Sequence, residues 1–249
     1  MIPKSHPRYK SLLSRDKIVN AYKSGILADS GMIAHGRGEA FDYLIGEKTT
    51  ETAEKAIEAA AAALILAKNP VISVNGNTTA LVPEHVVKLA EVLGAKIEIN
   101  LFYRTPKRVK TIWKFLKDQG AGEILGTEEE DFKHIEGLDS PRGSVSPEGM
   151  YKADVILVPL EDGDRTEVLV NEGKFVIAVD LNPLSRTAKT ASLTIVDNIT
   201  RAMPCLTRKV NKLKTKNPDE LKKLMDNFNN INNLKESLKI MLNSINEFE

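Results

Sequence analysis

Apolar residues in this chain follow two patterns that alternate along its length. Helical spacing of apolar positions predicts helices over 11–23, 51–68, 83–93, 107–118 and 199–212. Between them lie short runs that are apolar almost throughout, which predict buried strands over 71–74, 96–101, 153–160, 175–181 and 193–196. Because such strands alternate with helices, the pattern predicts an α/β fold, a Rossmann-like parallel sheet flanked by helices.

Three segments depart from this alternation. Residues 24–31 contain glycine and serine and predict a joint, which leads to the run from His35 to Gly38 and then to a short helix at 39–44. Residues 121–148 have no clear period and predict a long surface excursion. The Asn-rich tail has helical spacing and is expected to pack against the core or a second subunit. We therefore interpret 1–212 as a single domain, with N-terminal helices over 1–69, and 213–249 as a helical tail.

Composition narrows the class of protein. The 249 residues carry 35 Lys and Arg against 34 Asp and Glu, a net charge of +1, which argues against a polymer of phosphates as partner. With one Trp, five Tyr and seven Phe, stacking on nucleic acid is not expected either. Cys205 is the only cysteine, so a disulfide framework is excluded and a reducing compartment is favoured. No signal-like or membrane-spanning apolar stretch occurs, and we expect a cytoplasmic protein without membrane contact.

Polar residues follow two of the predicted strands at the edge where ligands bind in parallel α/β sheets. After the first strand come Asn75, Gly76, Asn77 and Thr78, whose amides and hydroxyls can contact an anion or a carboxylate. A tight turn into a helix explains the same residues equally well. Arg104 follows the next strand, and its planar fork suits phosphate or carboxylate, although a surface salt bridge is the competing interpretation.

The segment from Asp180 to Ala188 is the most informative in the chain. A strand-terminal acid such as Asp180 can accept hydrogen bonds from ribose hydroxyls, and Arg186 and Thr187 add a charged fork and a hydroxyl a few residues later. Asn198 begins a predicted helix, whose free amides attract negative charge or are simply capped.

Arg37 lies between two glycines in His35-Gly36-Arg37-Gly38, a pattern that predicts a mobile phosphate clamp. Neither GxxxxGK[ST] nor GxGxxG after a strand occurs, so the standard P-loop and dinucleotide fingerprints are absent. The four histidines lack metal-ligand spacing, and we predict no metal site built by the protein.

Four segments together resemble the archaeal-type phosphopantothenate synthetases, the 4-phosphopantoate–β-alanine ligases. They are the run from Ser5 to Tyr9 with Arg15, the run from His35 to Leu44, the run from Asn75 to Thr78, and the run from Asp180 to Thr187. The resemblance spans residue 5 to about residue 212. It implies a Rossmann-like homodimer that joins 4-phosphopantoate to β-alanine with ATP, accompanied by Mg²⁺, in coenzyme A biosynthesis.

The resemblance also implies roles for particular residues. It places ATP on Arg15, Arg37, Asp180, Leu181, Asn182, Arg186, Thr187, Asn198 and Ile199. Of these, Arg37 and Arg186 are the predicted catalytic residues, since they can stabilise charge that develops on the phosphates. From their own chemistry, Asn75, Asn77, Thr78 and Arg104 are predicted to bind substrate, without assignment to one of the two acceptor pockets.

A reaction through an acyl-adenylate is consistent with these residues. The carboxylate attacks the α-phosphate and releases pyrophosphate, after which the amine displaces AMP, so no protein nucleophile is needed. Two alternatives remain open at this point. One is a nucleotide- or phosphate-sensing regulatory dimer without turnover, and the other is a sugar-phosphate or acyl-phosphate enzyme of related fold.

Overall fold

A computed structural model describes residues 2–127, 131–160 and 163–246. Within them, six parallel strands form one sheet in the order β3–β2–β1–β6–β7–β8, and two short strands form an antiparallel ribbon. The sheet strands are β1 (Pro70–Val74), β2 (Lys96–Ile99), β3 (Ile124–Leu125), β6 (Val155–Pro159), β7 (Phe175–Val179) and β8 (Leu193–Ile195). The ribbon strands are β4 (Lys133–His134) and β5 (Ser144–Val145). The predicted Rossmann-like α/β fold is confirmed.

Helices cover the sheet. They are α1 (Tyr9–Lys23), α2 (Asp29–Leu44), α3 (Glu51–Leu66), α4 (Gly76–Leu81), α5 (Pro83–Leu93), α6 (Pro106–Asp118), α7 (Gly163–Asn171), α8 (Arg186–Thr190), α9 (Ile199–Leu213), α10 (Pro218–Asp226) and α11 (Asn230–Asn246). A 3₁₀ turn spans Pro141–Gly143. No helix in the described part of the chain is long and apolar enough to cross a membrane.

The strand order creates one special position in the sheet. From β1 the chain adds β2 and β3 on one side, and it then returns to add β6, β7 and β8 on the other. Connections therefore diverge at the carboxyl ends of β1 and β6, which leaves a crevice between them. In such sheets this crevice is the usual ligand site.

The Asn-rich tail packs against the core. Leu221 belongs to the main apolar cluster, and Leu234 packs with residues near the ends of β7 and β8. Its asparagines also pair with the edge strand β8. Thr194 donates its backbone N–H to Asn230 Oδ1 (2.8 Å), and its carbonyl accepts from Asn233 Nδ2 (2.8 Å). These side chains form hydrogen bonds with backbone groups that an exposed sheet edge would leave unpaired.

The predicted joint at 24–31 is wrong from Asp29 onward, and the predicted mobile loop around Arg37 is also wrong, because α2 runs without interruption from Asp29 to Leu44. Gly36 and Gly38 have ordinary helical backbones. Glycine lowers helix propensity by about 1 kcal/mol, a local preference that tertiary packing overrides here. Gly38 lies close to Leu181, since a Cβ on this glycine would be 3.6 Å from Leu181 Cδ1.

The predicted surface excursion at 121–148 is also wrong for the residues that the structure describes. Ile124 and Leu125 form the edge strand β3, paired with β2. Ile135 and Val145 are buried in a second apolar cluster that covers the sheet. Strands this short leave no readable period, so their burial is decided by the surrounding fold. Residues 128–130 lie outside the described part of the chain.

Gly31 and Gly36 provide a matched test of how tightly α2 is packed. A Cβ at Gly31 would meet Leu27 Cδ1 at 2.5 Å and Asn77 Oδ1 at 2.7 Å, whereas a Cβ at Gly36 has no neighbour within 4 Å. We therefore expect Gly31→Ala to lower the free energy of unfolding by about 1–3 kcal/mol. Gly36→Ala should raise it by about 0.5–1 kcal/mol, since alanine is the better helix former. Urea denaturation of both variants measures the difference, and equal effects would contradict the close packing of α2.

Candidate active site

A cavity of about 280 Å³ lies at the crevice between β1 and β6, and we call it the switch-point cavity. Residues that follow both strands line it, with Asn75 after β1 and Leu160 after β6. Its full lining is Leu27, Ala28, Ser30, Gly31, Ala34, Arg37, Asn75, Gly76, Asn77, Leu101, Phe102, Tyr103, Arg108, Arg142 and Leu160. A larger cavity of about 360 Å³ lies between α3 and the tail helices, but it holds none of the predicted site residues.

Three arginines from separate parts of the chain converge on the switch-point cavity. They are Arg37 on α2, Arg108 on α6 and Arg142 on the 3₁₀ turn. Arg108 donates to the carbonyls of Ile26 (3.1 Å) and Tyr103 (2.7 Å), which fixes its orientation. Burial lowers the pKa of Arg108, and the positive charge of Arg142 lowers it further. Two cations that repel each other beside a cavity favour an anionic ligand with several oxygens, such as a phosphate.

Helix α2 presents different residues to different parts of the site. Gly31, Ala34 and Arg37 recur every three residues and face the switch-point cavity. His35, Glu39 and Asp42 face a second cavity of about 90 Å³, beside the first turn of α9. Because residues three and four apart share a helix face, one helix borders both cavities.

Asp180 begins a tight turn at the end of β7. Its carboxylate accepts from the backbone N–H of Asn182 (2.9 Å) and from the Ser185 hydroxyl. Burial raises the pKa of Asp180, while the hydrogen bonds from Ser185 and Asn182 and, to a smaller extent, the positive charge of Arg37 oppose that shift. The guanidinium of Arg37 therefore acts on the carboxyl edge of β7 as well as lining the switch-point cavity.

An ionic network lies at the end of β8. Arg201 contacts both Asp42 (2.5 Å) and the buried Asp197 (2.6 Å), and Asn198 Nδ2 donates to Asp42 (2.8 Å). Burial raises the pKa of Asp197, and the charge and hydrogen bonds of Arg201 act against the shift. The Asn198 side chain accepts from Thr200 and caps α9, so this network joins α2 to the first turn of α9.

The predicted residues after β1 use their side chains within the protein. Asn75 accepts from Thr78 N–H (3.0 Å) and donates to the carbonyls of Pro159 and Leu160 (3.0 Å each), so it ties β1 to β6. Asn77 donates to the carbonyl of Gly31 (2.8 Å), and Thr78 is fully buried. Asn75 and Asn77 line the cavity, and their polar groups shape its wall.

Other predicted arginines have partners outside the switch-point cavity. Arg104 donates to the carbonyls of Gly126 (3.1 Å) and Thr127 (3.2 Å). Arg186 forms ion pairs with Asp164 and Glu167 on α7, and its side chain is 61 % exposed. Arg15 donates two hydrogen bonds to Glu39 (3.2 and 3.1 Å), a residue that lines the small cavity beside α9.

The sequence interpretation missed Arg108 and Arg142. Arg108 belongs to the basic helix α6, whose charges fit an ordinary solvated face. Arg142 lies between a proline and a glycine in a segment without period, and that context is the only sequence signal at this position. In the described residues, no group of three or more His, Cys, Asp and Glu side chains is arranged to hold a metal ion.

Comparison with known proteins assigns the chain to a family. The family model described as phosphopantothenate/pantothenate synthetase matches residues 52–244. A protein of Thermococcus kodakarensis named 4-phosphopantoate–β-alanine ligase is 56 % identical over 230 residues, which cover 92 % of this chain and 87 % of the relative. A protein of Methanosarcina mazei with the same name is 53 % identical over 237 residues, 95 % of this chain and 92 % of the relative. The chain belongs to the phosphopantothenate/pantothenate synthetase family.

Proposed function

We propose that this member of the family acts at the carboxyl edge of its sheet, where ATP and the acid substrate meet at Arg37. The enzyme is a 4-phosphopantoate–β-alanine ligase of coenzyme A biosynthesis, in agreement with the names of its relatives. The regulatory alternative without turnover is not favoured, because those relatives are named as enzymes.

The convergence of three arginines on the switch-point cavity is the observation that carries this proposal. Arg108 and Arg142 line the same cavity, and the charge of Arg142 acts on Arg108, so we assign to them the phosphate of 4-phosphopantoate. A dianionic phosphate relieves the repulsion between two neighbouring guanidinium groups, and planar forks match its oxygens. The pantoate carboxylate then extends through the cavity toward Arg37.

ATP is assigned to the neighbouring strand ends. The Asp180 turn suits the ribose, and the first turn of α9 at Asn198 and Ile199 closes the nucleotide site from the side of β8. Arg37 borders the switch-point cavity and acts electrostatically on Asp180, so it lies between the two substrates. That position fits a residue that contacts the α-phosphate as the carboxylate attacks it.

The protein's part in the reaction is positioning and charge stabilisation. The carboxylate oxygen bonds to the α-phosphorus and pyrophosphate leaves. The β-alanine amine then bonds to the acyl carbon, loses a proton and expels AMP. Negative charge on the phosphates is greatest during the first step, and a cation already in place stabilises it without reorganisation. Mg²⁺ would be carried by the ATP phosphate oxygens, which are ligands of the kind that it prefers.

Arg15, Arg186 and Thr187 remain proposed contacts of ATP. The ion pairs of Arg186 with Asp164 and Glu167 are exposed, and exposed ion pairs contribute little to stability. Exchanging them for a triphosphate therefore costs little. Arg104, bound to backbone carbonyls, is the weakest of the assignments to the acid substrate.

The products identify the reaction type. Purified protein with ATP, Mg²⁺, 4-phosphopantoate and β-alanine should form AMP and pyrophosphate in equal amounts. Labelled pyrophosphate should exchange into ATP when 4-phosphopantoate is present without β-alanine, because the adenylate step is reversible. Omission of 4-phosphopantoate is the control and should abolish the exchange. Formation of ADP and phosphate would contradict the adenylate and indicate an acyl-phosphate instead.

We also propose a homodimer, as the resemblance implies, and a cytoplasmic location, as the composition favours. Large apolar side chains on the first two helices are exposed in the single chain, among them Val19 (41 %), Tyr22 (43 %) and Ile33 (70 %). Exposed apolar side chains of this size favour association with a second copy of the chain. Light scattering tests the dimer, and a fully active monomer would contradict it.

A further inference from the structure

Arg165 on α7 is a buried cation that the proposed reaction leaves unexplained. Its exposed fraction is 1 %, and it does not line the switch-point cavity. Burying a guanidinium costs several kcal/mol unless its donors are well paired. Its partners therefore indicate what the charge does at this position.

Two partners of Arg165 lie toward the carboxyl ends of the neighbouring strands β1 and β2, and Met150 Sδ is a third (3.1 Å). Its Nη1 donates to Asn100 Oδ1 (2.5 Å), and its Nη2 donates to Ser73 Oγ (2.9 Å). Asn100 follows β2 directly and is 2 % exposed. The backbone N–H of Asn100 donates to the carbonyl of Val74 (3.0 Å), which fixes this residue beside the end of β1.

Arg165 determines the orientation of the Asn100 amide. A guanidinium can only donate hydrogen bonds, so the amide atom that faces it must be the oxygen. The amino group then points the other way, where Nδ2 donates to the carbonyls of Arg142 (3.2 Å) and Ser144 (3.3 Å). Asn100 thereby holds the backbone of the turn that carries Arg142.

We propose that Arg165 and Asn100 are positioning residues that hold Arg142 in the switch-point cavity for the phosphate of the acid substrate. This inference rests on the proposed function, in which Arg142 binds that phosphate. Asn100 transmits the constraint from α7 to the 3₁₀ turn, and Arg165 keeps the amide from rotating. Neither residue touches the substrate.

Asn100→Asp removes the two hydrogen bonds from Asn100 Nδ2 to the carbonyls of Arg142 and Ser144, while it keeps the contact to Arg165. The aspartate still accepts from Arg165, but its second oxygen faces two carbonyls and repels the turn. We expect KM for 4-phosphopantoate to rise roughly tenfold, with KM for ATP and kcat changed less than about twofold, because one binding group is misplaced. Arg165→Lys, which keeps the charge and loses the fork, should shift the same constant in the same direction.

Ser73→Ala is the matched control. It removes a different hydrogen-bond partner of Arg165 and leaves the hydrogen bonds of Asn100 in place, so the KM values should stay at their wild-type levels even if the melting temperature falls. In an Arg142→Ala background, Asn100→Asp should cause no further rise in KM for 4-phosphopantoate, since it acts through Arg142. The thermal shift produced by 4-phosphopantoate provides a readout that does not need turnover.

Each contrary result has a distinct meaning. An unchanged KM for 4-phosphopantoate in folded Asn100→Asp, an equal effect of Ser73→Ala, or full additivity with Arg142→Ala would overturn the positioning role alone. If Arg165→Lys does not fold, Asn100→Asp decides the question. Wild-type protein that forms no AMP from 4-phosphopantoate, or Arg142→Ala with normal KM values, would overturn the proposed function or its substrate site instead.

Discussion

Replacing Arg37 by alanine is expected to lower kcat/KM by roughly 10²-fold or more, which corresponds to about 3 kcal/mol of transition-state stabilisation. Arg37 borders the switch-point cavity and acts on Asp180, so its loss removes the cation between the two proposed substrate sites. Arg37→Lys keeps the charge without the bidentate fork, and its activity should lie between those of the wild type and Arg37→Ala.

Stability measurements separate this role from a structural one. Arg37 is exposed and forms no hydrogen bond or ion pair with the described residues. The free energy of unfolding of both variants should therefore lie within about 0.5 kcal/mol of the wild-type value. Stabilisation by added ATP should decrease in both. Arg208→Ala, an exposed arginine on α9 outside the proposed site, is the control and should keep full activity. Near-normal kinetics in Arg37→Ala would contradict the proposal that Arg37 on α2 contacts the reacting groups.

Arg108→Ala should raise KM for 4-phosphopantoate by roughly 10²-fold, the upper end for losing charged hydrogen bonds worth about 1.5–3 kcal/mol. Steady-state kinetics with each substrate varied in turn measures this effect. KM for ATP should change much less. Arg108 lies on α6 and lines the cavity with Arg142, whereas ATP is assigned to the ends of β7 and β8.

Lys110→Ala removes the same charge from the same helix and provides the control. Lys110 is exposed and does not line the cavity, so its loss should leave both KM values unchanged. Since Arg108 also holds the carbonyls of Ile26 and Tyr103, a melting curve must accompany the kinetics. An equal rise in both KM values, or a rise for ATP alone, would place the phosphate of the acid substrate elsewhere.

Sequence interpretation succeeded where local chemistry decides the structure. Thr50 caps α3 by accepting from Ala53 N–H (3.2 Å), and Asn198 caps α9, both as the residue types predict. Pro83 begins α5, at the first residue of the helix predicted over 83–93. These features depend on residues within a few positions of each other.

Interpretation failed where distant parts of the chain decide the structure. The glycines of α2 predict a joint by their own preference, yet Gly31 is held in a helix against Leu27 and Asn77. In the same way, Ile135 and Val145 carry no period, although both are buried in the second apolar cluster. Neither kind of contact can be read from the local spacing of apolar and polar residues.

The active site divides along the same line. The sequence by itself determined the alternation of strands and helices, the turn at Asp180, the cap at Asn198 and the resemblance to a ligase family. Only the tertiary structure brought Arg37, Arg108 and Arg142 to one cavity, from a helix, a second helix and a turn that are far apart in the chain. The physical reason is that the crossover order of the sheet opens one crevice between β1 and β6. Which arginines border that crevice depends on packing between elements, and residue type and spacing do not encode it.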